Sequence, residues 1–278
     1  MYVQEKEKEK EKELDDSWRG WLKENLERHC DPFELMNILR KNGFDMISIK
    51  ESMGSSFPVI PSLAEYAAIA DARITKAELS GACQLLTPLA QVYTLPDFMS
   101  TEECDRIVEL SSSVLRPSTV TTNDKKYRTS STSDLSLLQH PDVQALDEKI
   151  ARTLGIRLEY SEDIQAQRYE VGQEFKPHTD YFQPRTDEFV QYASKAGQRT
   201  WTFMVYLNDV MIGGGTRFLH LQKTFRPKKG MALIWNNLHR DGSVNPATLH
   251  AGLPVERGHK IIITKWFRDR GSGPMFYQ

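Results

Sequence analysis

Three residues of this chain have the types and spacing of a metal site. His178-Thr179-Asp180 sets an imidazole and a carboxylate on alternate positions, and His250 lies further along. Two imidazoles and one carboxylate are the ligand set of a mononuclear non-haem Fe(II) centre, which keeps coordination positions open for oxygen and a co-substrate. Zinc accepts the same donors with water as the fourth ligand, and would then serve hydrolysis. Lys260 follows His250 in the sequence. It offers a cation to a second carboxylate, which zinc hydrolysis does not need.

The third ligand has rivals, because the chain carries seven histidines. His220, His239 and His259 are the alternatives to His250. His250 is favoured because it opens His250-Ala251-Gly252-Leu253-Pro254-Val255 at the edge of a strand. A further strand beginning near His259 sets Lys260, Ile262, Thr264 and Trp266 on one face. A lysine buried there needs an anionic partner, since an unpaired buried ammonium is costly. The carboxylate of a co-substrate would supply one. A solvated lysine on an edge strand is the alternative, and the neighbours Ile261, Ile262 and Ile263 weaken it.

The elements that must position these residues are short strands. Candidates are 163–171, 176–181, 200–208, 215–221, 231–236, 247–251 and 259–267, with Gly213-Gly214-Gly215 as a turn. Strand geometry turns His178 and Asp180 to the same side. Many short strands at this spacing predict a jelly roll or barrel. Ahead of them, Ala90 to Leu95 reads as a strand. Ser100-Thr101-Glu102-Glu103 caps a helix, and Pro141 to Leu154 is an amphipathic helix closed by Gly155. The Ser- and Thr-rich stretch 116–137 reads as a long loop, and 181–199 as a second; either could close over a substrate.

Residues 16 to about 85 read as helical. Trp18, Trp21, Leu22 and Leu26 have helical spacing, and the two tryptophans are expected to pack onto the next domain. Asp31 and Pro32 start a second helix, with Phe33, Leu35, Met36, Ile38 and Leu39 as its apolar residues and Gly43 as its stop. Ser62-Leu63-Ala64-Glu65 is a capping box before an alanine-rich helix. Glu and Lys alternate from Glu5 to Glu13, giving a marginal helix or a solvated tail. The expected division is a charged tail over 1–15, a helical N-terminal region over 16–87 and a catalytic domain over 88–278.

Composition sets outer bounds. With 39% apolar and 27% charged residues the chain is globular in type, and its formal net charge of −2 argues against a general nucleic-acid binder. No apolar run is long enough to span a membrane, and the N-terminus lacks the apolar core of a secretory signal. Cys30, Cys83 and Cys104 are odd in number and far apart, without a Cys-x-x-Cys pair. Reduced thiols in a cytoplasmic protein are therefore expected, and a cysteine zinc site is not.

The chain resembles the prolyl 4-hydroxylase family of Fe(II)/2-oxoglutarate-dependent dioxygenases over about residues 90–270. The first block that carries the resemblance runs from Gln167-Arg168-Tyr169 through Phe175-Lys176-Pro177-His178-Thr179-Asp180. Arg199-Thr200-Trp201-Thr202 through Asn208 follows, then Gly214-Gly215-Thr216-Arg217-Phe218, then His250 to Val255 and Gly258-His259-Lys260 to Lys265-Trp266. Leu95-Pro96-Asp97-Phe98 resembles the start of that domain, and Arg128-Thr129-Ser130 a loop motif.

The resemblance implies an α+β fold, a double-stranded β-helix with supporting helices. It implies Fe(II) on His178, Asp180 and His250. Lys260 would pair with the distal carboxylate of 2-oxoglutarate, with Tyr169 and Thr202 as hydrogen-bond donors to it. Trp266 would line the substrate side; Arg128 in the 116–137 loop and Tyr181 in the 181–199 loop are further substrate-contact candidates, as members of the two possible lids. Dioxygen would be the oxidant, and ascorbate an auxiliary reductant. The implied reaction is decarboxylation of 2-oxoglutarate to succinate with hydroxylation of a prolyl residue in a peptide or protein. Asp180 favours hydroxylation over halogenation. Phe175 stands where the family often has tyrosine, so a hydroxyl that could contact substrate is missing. The rivals are hydroxylation of a free cyclic amino acid such as proline or pipecolate, or of a natural-product precursor; a non-catalytic cupin-like binding protein; and a zinc hydrolase.

Overall fold

A computed structural model describes residues 12–30, 32–57, 82–113, 115–117, 129–193, 196–239 and 242–272. Asp31, the capping box at Ser62–Glu65 and Arg128 lie outside the described residues. The chain divides into two compact units, one of residues 1–60 with 183–195 and one of 61–182 with 196–278.

In the first unit, α1 (Asp16–Glu27), α2 (Pro32–Lys41) and α3 (Met46–Met53) follow the apolar periodicity of the sequence. Asp15 caps α1 by accepting from the Trp18 amide, and Asp45 caps α3 through Ser48. Leu22, Leu35, Leu39, Phe44 and Ile49 form the shared core. Trp18 meets Trp21 and Phe44 edge-on, each at 5.3 Å between ring centroids, so it packs within its own unit.

The second unit is built on two main sheets. The larger contains β1 (Cys83–Gln84), β2 (Val92–Leu95), β3 (Arg116–Pro117), β4 (Ser131–Asp134), β5 (Gln165–Tyr169), β7 (Arg199–Tyr206), β11 (Ala232–Asn236) and β14 (Lys260–Arg268). Their order is β1-β2-β11-β7-β14-β5-β4-β3. The smaller contains β6 (Phe175–His178), β9 (Thr216–Phe218), β10 (Lys223–Phe225) and β12 (His250–Gly252), in the order β10-β9-β12-β6. β8 (Ile212–Gly213) and β13 (Val255–Arg257) form a separate pair. This is the jelly roll that the sequence predicts.

Alternation on β7 shows how the layers are made. Trp201, Phe203 and Val205 join one core cluster with residues of α4 (Thr101–Ser112) and α5 (Pro141–Leu154). Met204 and Tyr206 turn to the other side and meet Phe218 of the smaller sheet in a second cluster. Both faces of β14 are therefore covered, and all nine of its residues are buried. Each fully buried aliphatic or aromatic side chain here stabilises the fold by roughly 1.5–3 kcal/mol. Ser100 and Glu103 complete the expected capping box of α4, and Gly155 ends α5 in the left-handed conformation.

Two expected loops are partly regular. Within 116–137, Ser131–Asp134 form β4, paired with β5, and Leu135–Leu138 a 3-10 turn. Ser133 and Thr132 are buried there, and such hydroxyl-rich strands carry no apolar alternation to betray them. Within 181–199, Asp187–Ala193 form α6. Cys83–Gln84, inside the stretch read as helical, pair with β2. Among the described residues no helix is long and apolar enough to cross a membrane.

Candidate active site

The metal-ligand candidates meet because β6 and β12 are neighbours. His178 and His250 sit directly opposite each other in the ladder, with ring centroids 4.3 Å apart. Ligand atoms of His178, Asp180 and His250 all lie within 4.8 Å of one another. Each imidazole is oriented by its own strand. His178 Nδ1 is 2.8 Å from the Lys176 carbonyl oxygen, and His250 Nδ1 is 2.9 Å from that of Thr248. A carbonyl only accepts, so Nδ1 donates in both rings and Nε2 is the atom each ring presents to a metal. Burial opposes ionisation of Asp180, but His250, His178, Arg199 and the Thr202 hydroxyl together hold its carboxyl below the usual range. Phe175 stacks on the His178 ring at 3.5 Å and 17°, so the residue that lacks the family's hydroxyl covers an imidazole face. Two imidazole Nε2 atoms and one carboxylate fit Fe(II).

Lys260 closes one end of the same pocket. It is 2% exposed, and among the described residues no carboxylate forms an ion pair with it. Its ammonium lies over the rings of Tyr169 at 5.1 Å and Tyr206 at 5.8 Å. Burial alone pushes its pKa down to about 7. Tyr206 donates to Thr216 Oγ1 at 2.7 Å, which leaves the Thr216 proton for an acceptor in the pocket. Tyr169 donates to Gln167 Oε1 at 3.0 Å. Both tyrosine protons are thus taken, and a buried cation with Thr216 in the same pocket and no carboxylate partner among the described residues fits a carboxylate ligand.

Trp266 lines the pocket at its other end, with Thr264 and Ile262 between it and Lys260. The single face expected for these four residues is what the structure has. Arg199 lies over the Trp266 ring at 4.0 Å and over Phe182 at 5.0 Å. Glu162 accepts from Arg199 Nε and Nη2, both at 2.6 Å, and from Arg268 Nη1 at 2.9 Å. Nothing in the local sequence marks Arg199 or Glu162, since their pairing spans 37 residues.

Thr202 requires a correction. Expected on the 2-oxoglutarate carboxylate, its hydroxyl instead donates to Asp180 Oδ2 at 2.7 Å. The reason is register. Thr202 pairs with Trp266, not with the Lys260 end of β14. Six residues of strand at roughly 3.3 Å each separate those ends by about 20 Å. Thr216, not singled out from the sequence, is the hydroxyl in the pocket that holds Lys260. Tyr181 is buried but does not line this pocket. A larger hollow in the first unit is lined by Arg19, Lys23, Leu26, Glu27 and Ser52, and the metal-ligand candidates are not among them.

Comparison with known proteins places this geometry. The family model of the 2OG-Fe(II) oxygenase superfamily matches residues 164–268, the stretch that carries every one of these ligands. Prolyl 4-hydroxylase 5 of Arabidopsis thaliana is 34% identical over 205 residues, which cover 65% of this chain and 68% of that protein. The chain belongs to the 2OG-Fe(II) oxygenase superfamily. Within it the chain is prolyl 4-hydroxylase-like. Prolyl 4-hydroxylase subunit alpha-3 of Mus musculus is 36% identical over 193 residues, 67% of this chain, and the match spans only 35% of that subunit's length. Among solved structures, the viral collagen prolyl hydroxylase vCPH of Paramecium Bursaria Chlorella virus-1, in a 2OG complex, superposes with a TM-score of 0.49 at 27% identity. That match covers 64% of this chain and 95% of that one.

Proposed function

We propose that the protein is an Fe(II)/2-oxoglutarate-dependent dioxygenase that hydroxylates a prolyl residue in a peptide or protein. The observation that carries this is the coexistence, in one pocket, of the His178–Asp180–His250 triad and a buried Lys260 without an anion. Zinc hydrolysis has no use for that lysine. Bound Fe(II) supplies the redox chemistry, coupling decarboxylation of 2-oxoglutarate by dioxygen to insertion of one oxygen atom into a C–H bond.

The chain's own residues do the rest. His178, Asp180 and His250 hold the metal from one side. Lys260, with Thr216 beside it, binds the distal carboxylate and so fixes the co-substrate's direction. Met204, Trp235 and Ile262 keep the space between dry. Trp266, pinned under Arg199, gives the substrate a flat apolar wall suited to a pyrrolidine ring. Ascorbate would serve as reductant for turnovers that lack substrate.

That the relatives are prolyl 4-hydroxylases supports prolyl residues as the target. A free cyclic amino acid is the second reading, favoured by Phe175, which offers a peptide no hydroxyl. We place the protein in the cytoplasm, on the strength of three widely spaced cysteines, and cell fractionation would test this. The substrate test is mass spectrometry after incubation with Fe(II), 2-oxoglutarate and either proline-containing peptides or free proline and pipecolate. A peptide product gaining one oxygen supports the first reading. Oxygen gain confined to the free amino acids replaces it with the second.

A further inference from the structure

We propose that Asn237 and Thr202 form a positioning relay that leaves Asp180 one oxygen for the metal and keeps the other away from it. This rests on the metal-site reading above. Thr202 Oγ1 donates to Asp180 Oδ2 at 2.7 Å, and Asn237 Nδ2 donates to Thr202 Oγ1 at 2.9 Å. Asp180 Oδ1 is the oxygen that faces His178 Nε2, at 3.8 Å. Both relay residues are fully buried, and neither lines the pocket. They touch neither substrate nor co-substrate and act only through Asp180.

The proton directions follow from chemistry. An ionised carboxylate only accepts, so the Thr202 hydroxyl must donate to Asp180. A hydroxyl has one proton, so whatever faces Thr202 from behind must be a donor. The Asn237 amide nitrogen meets that demand. Turning the amide over would give its buried oxygen, which has no partner, the Thr202 proton, and would take that proton from Asp180. The Asn237 backbone is pinned as well. Its amide donates to Thr200 O at 2.7 Å, and its carbonyl accepts from Asn245 N at 2.9 Å.

The consequence concerns coordination number. A facial triad works because three positions stay open. A carboxylate gripping the metal with both oxygens would take one of them. With Oδ2 held by Thr202, Asp180 offers Oδ1 alone. Removing the hydroxyl frees the carboxylate to rotate, and loss of such a supporting contact typically costs about 10–100-fold in metal affinity or activity.

The test measures Mn(II) affinity of the full chain without co-substrate, from the paramagnetic resonance signal of free Mn(II), beside thermal unfolding of the metal-free protein. Thr202→Val keeps the shape and removes the hydroxyl. It should bind Mn(II) about 10–100-fold more weakly, while Thr202→Ser returns close to wild type. Asn237→Leu removes only the donor behind Thr202 and should show a smaller loss of the same sign. If Thr202→Val does not fold, Thr202→Ser and Asn237→Leu carry the test. Folded Thr202→Val or Asn237→Leu with wild-type affinity overturns the relay. So does Thr202→Ser binding as weakly as Thr202→Val. Wild-type protein that binds no Mn(II) overturns the metal site itself, which separates that failure from failure of the relay alone.

Discussion

Replacing Lys260 with methionine should move stability and co-substrate binding in opposite directions. Lys260 is buried with no ion-pair partner among the described residues, and burial depresses its pKa from 10.5 to about 7. The unfolded chain therefore binds more protons at this residue between those values. It follows that folding stability rises with pH across that window and is lowest, from this group, at about pH 7 and below. Methionine removes the cost. Exchange of buried charge for an apolar side chain of similar volume stabilises by roughly 1–4 kcal/mol, or about 2–4 °C in Tm per kcal/mol for a domain of this size. Binding goes the other way. Loss of one member of a buried charge pair costs about 3–5 kcal/mol, so 2-oxoglutarate affinity should fall by roughly a hundred- to a few thousandfold. Calorimetric titration of the Mn(II)-loaded protein and scanning calorimetry of the metal-free protein measure the two effects. A lower Tm with unchanged 2-oxoglutarate affinity would refute the reasoning and make Lys260 a packing residue.

Other perturbations separate the parts of the site. In wild type, 2-oxoglutarate affinity should weaken as pH rises above about 7, because the lysine that must be charged loses its proton; an affinity flat from pH 6 to 9 would move the carboxylate site elsewhere. His178→Ala and Asp180→Ala should each abolish Fe(II)-dependent succinate formation, and retained turnover in either would sink the metal assignment. Trp266→Ala should impair substrate hydroxylation more than uncoupled consumption of 2-oxoglutarate, measured side by side; the reverse pattern places Trp266 in the core. Gln198→Ala should destabilise by about 1–3 kcal/mol in urea unfolding, since the buried Gln198 side chain accepts from Phe182 N at 2.8 Å and donates to Phe182 O at 2.7 Å. An unchanged midpoint would mean water replaces the clasp.

What the sequence made legible was what repeats along one strand. His178 and Asp180 sit on alternate positions, and Lys260, Ile262, Thr264 and Trp266 share a face. Period-2 geometry dictates the second, and the structure has it; β6 ends at His178, so Asp180 reaches the site from the bend that follows the strand. His250 was separable from the other histidines by its flanking residues, and it pairs directly with His178. What could not be read depends on which strands become neighbours. Thr202 belongs to Asp180 because β7 meets β14 in a register that sets Thr202 beside Trp266. Asn237 reaches Thr202 across 35 residues, and Thr216 reaches Tyr206 from a different sheet. β4 was missed for another reason. Its residues Ser131, Thr132, Ser133 and Asp134 are all polar, so no apolar alternation marks it as a strand.

The most direct test of the account supplies wild-type protein with Fe(II), 2-oxoglutarate, a proline-containing peptide and isotopically labelled dioxygen, and follows the label by mass spectrometry. The account predicts one labelled oxygen in succinate and one in the hydroxylated peptide, formed in equal amounts. Product oxygen drawn from water, or turnover that continues without 2-oxoglutarate, would contradict it.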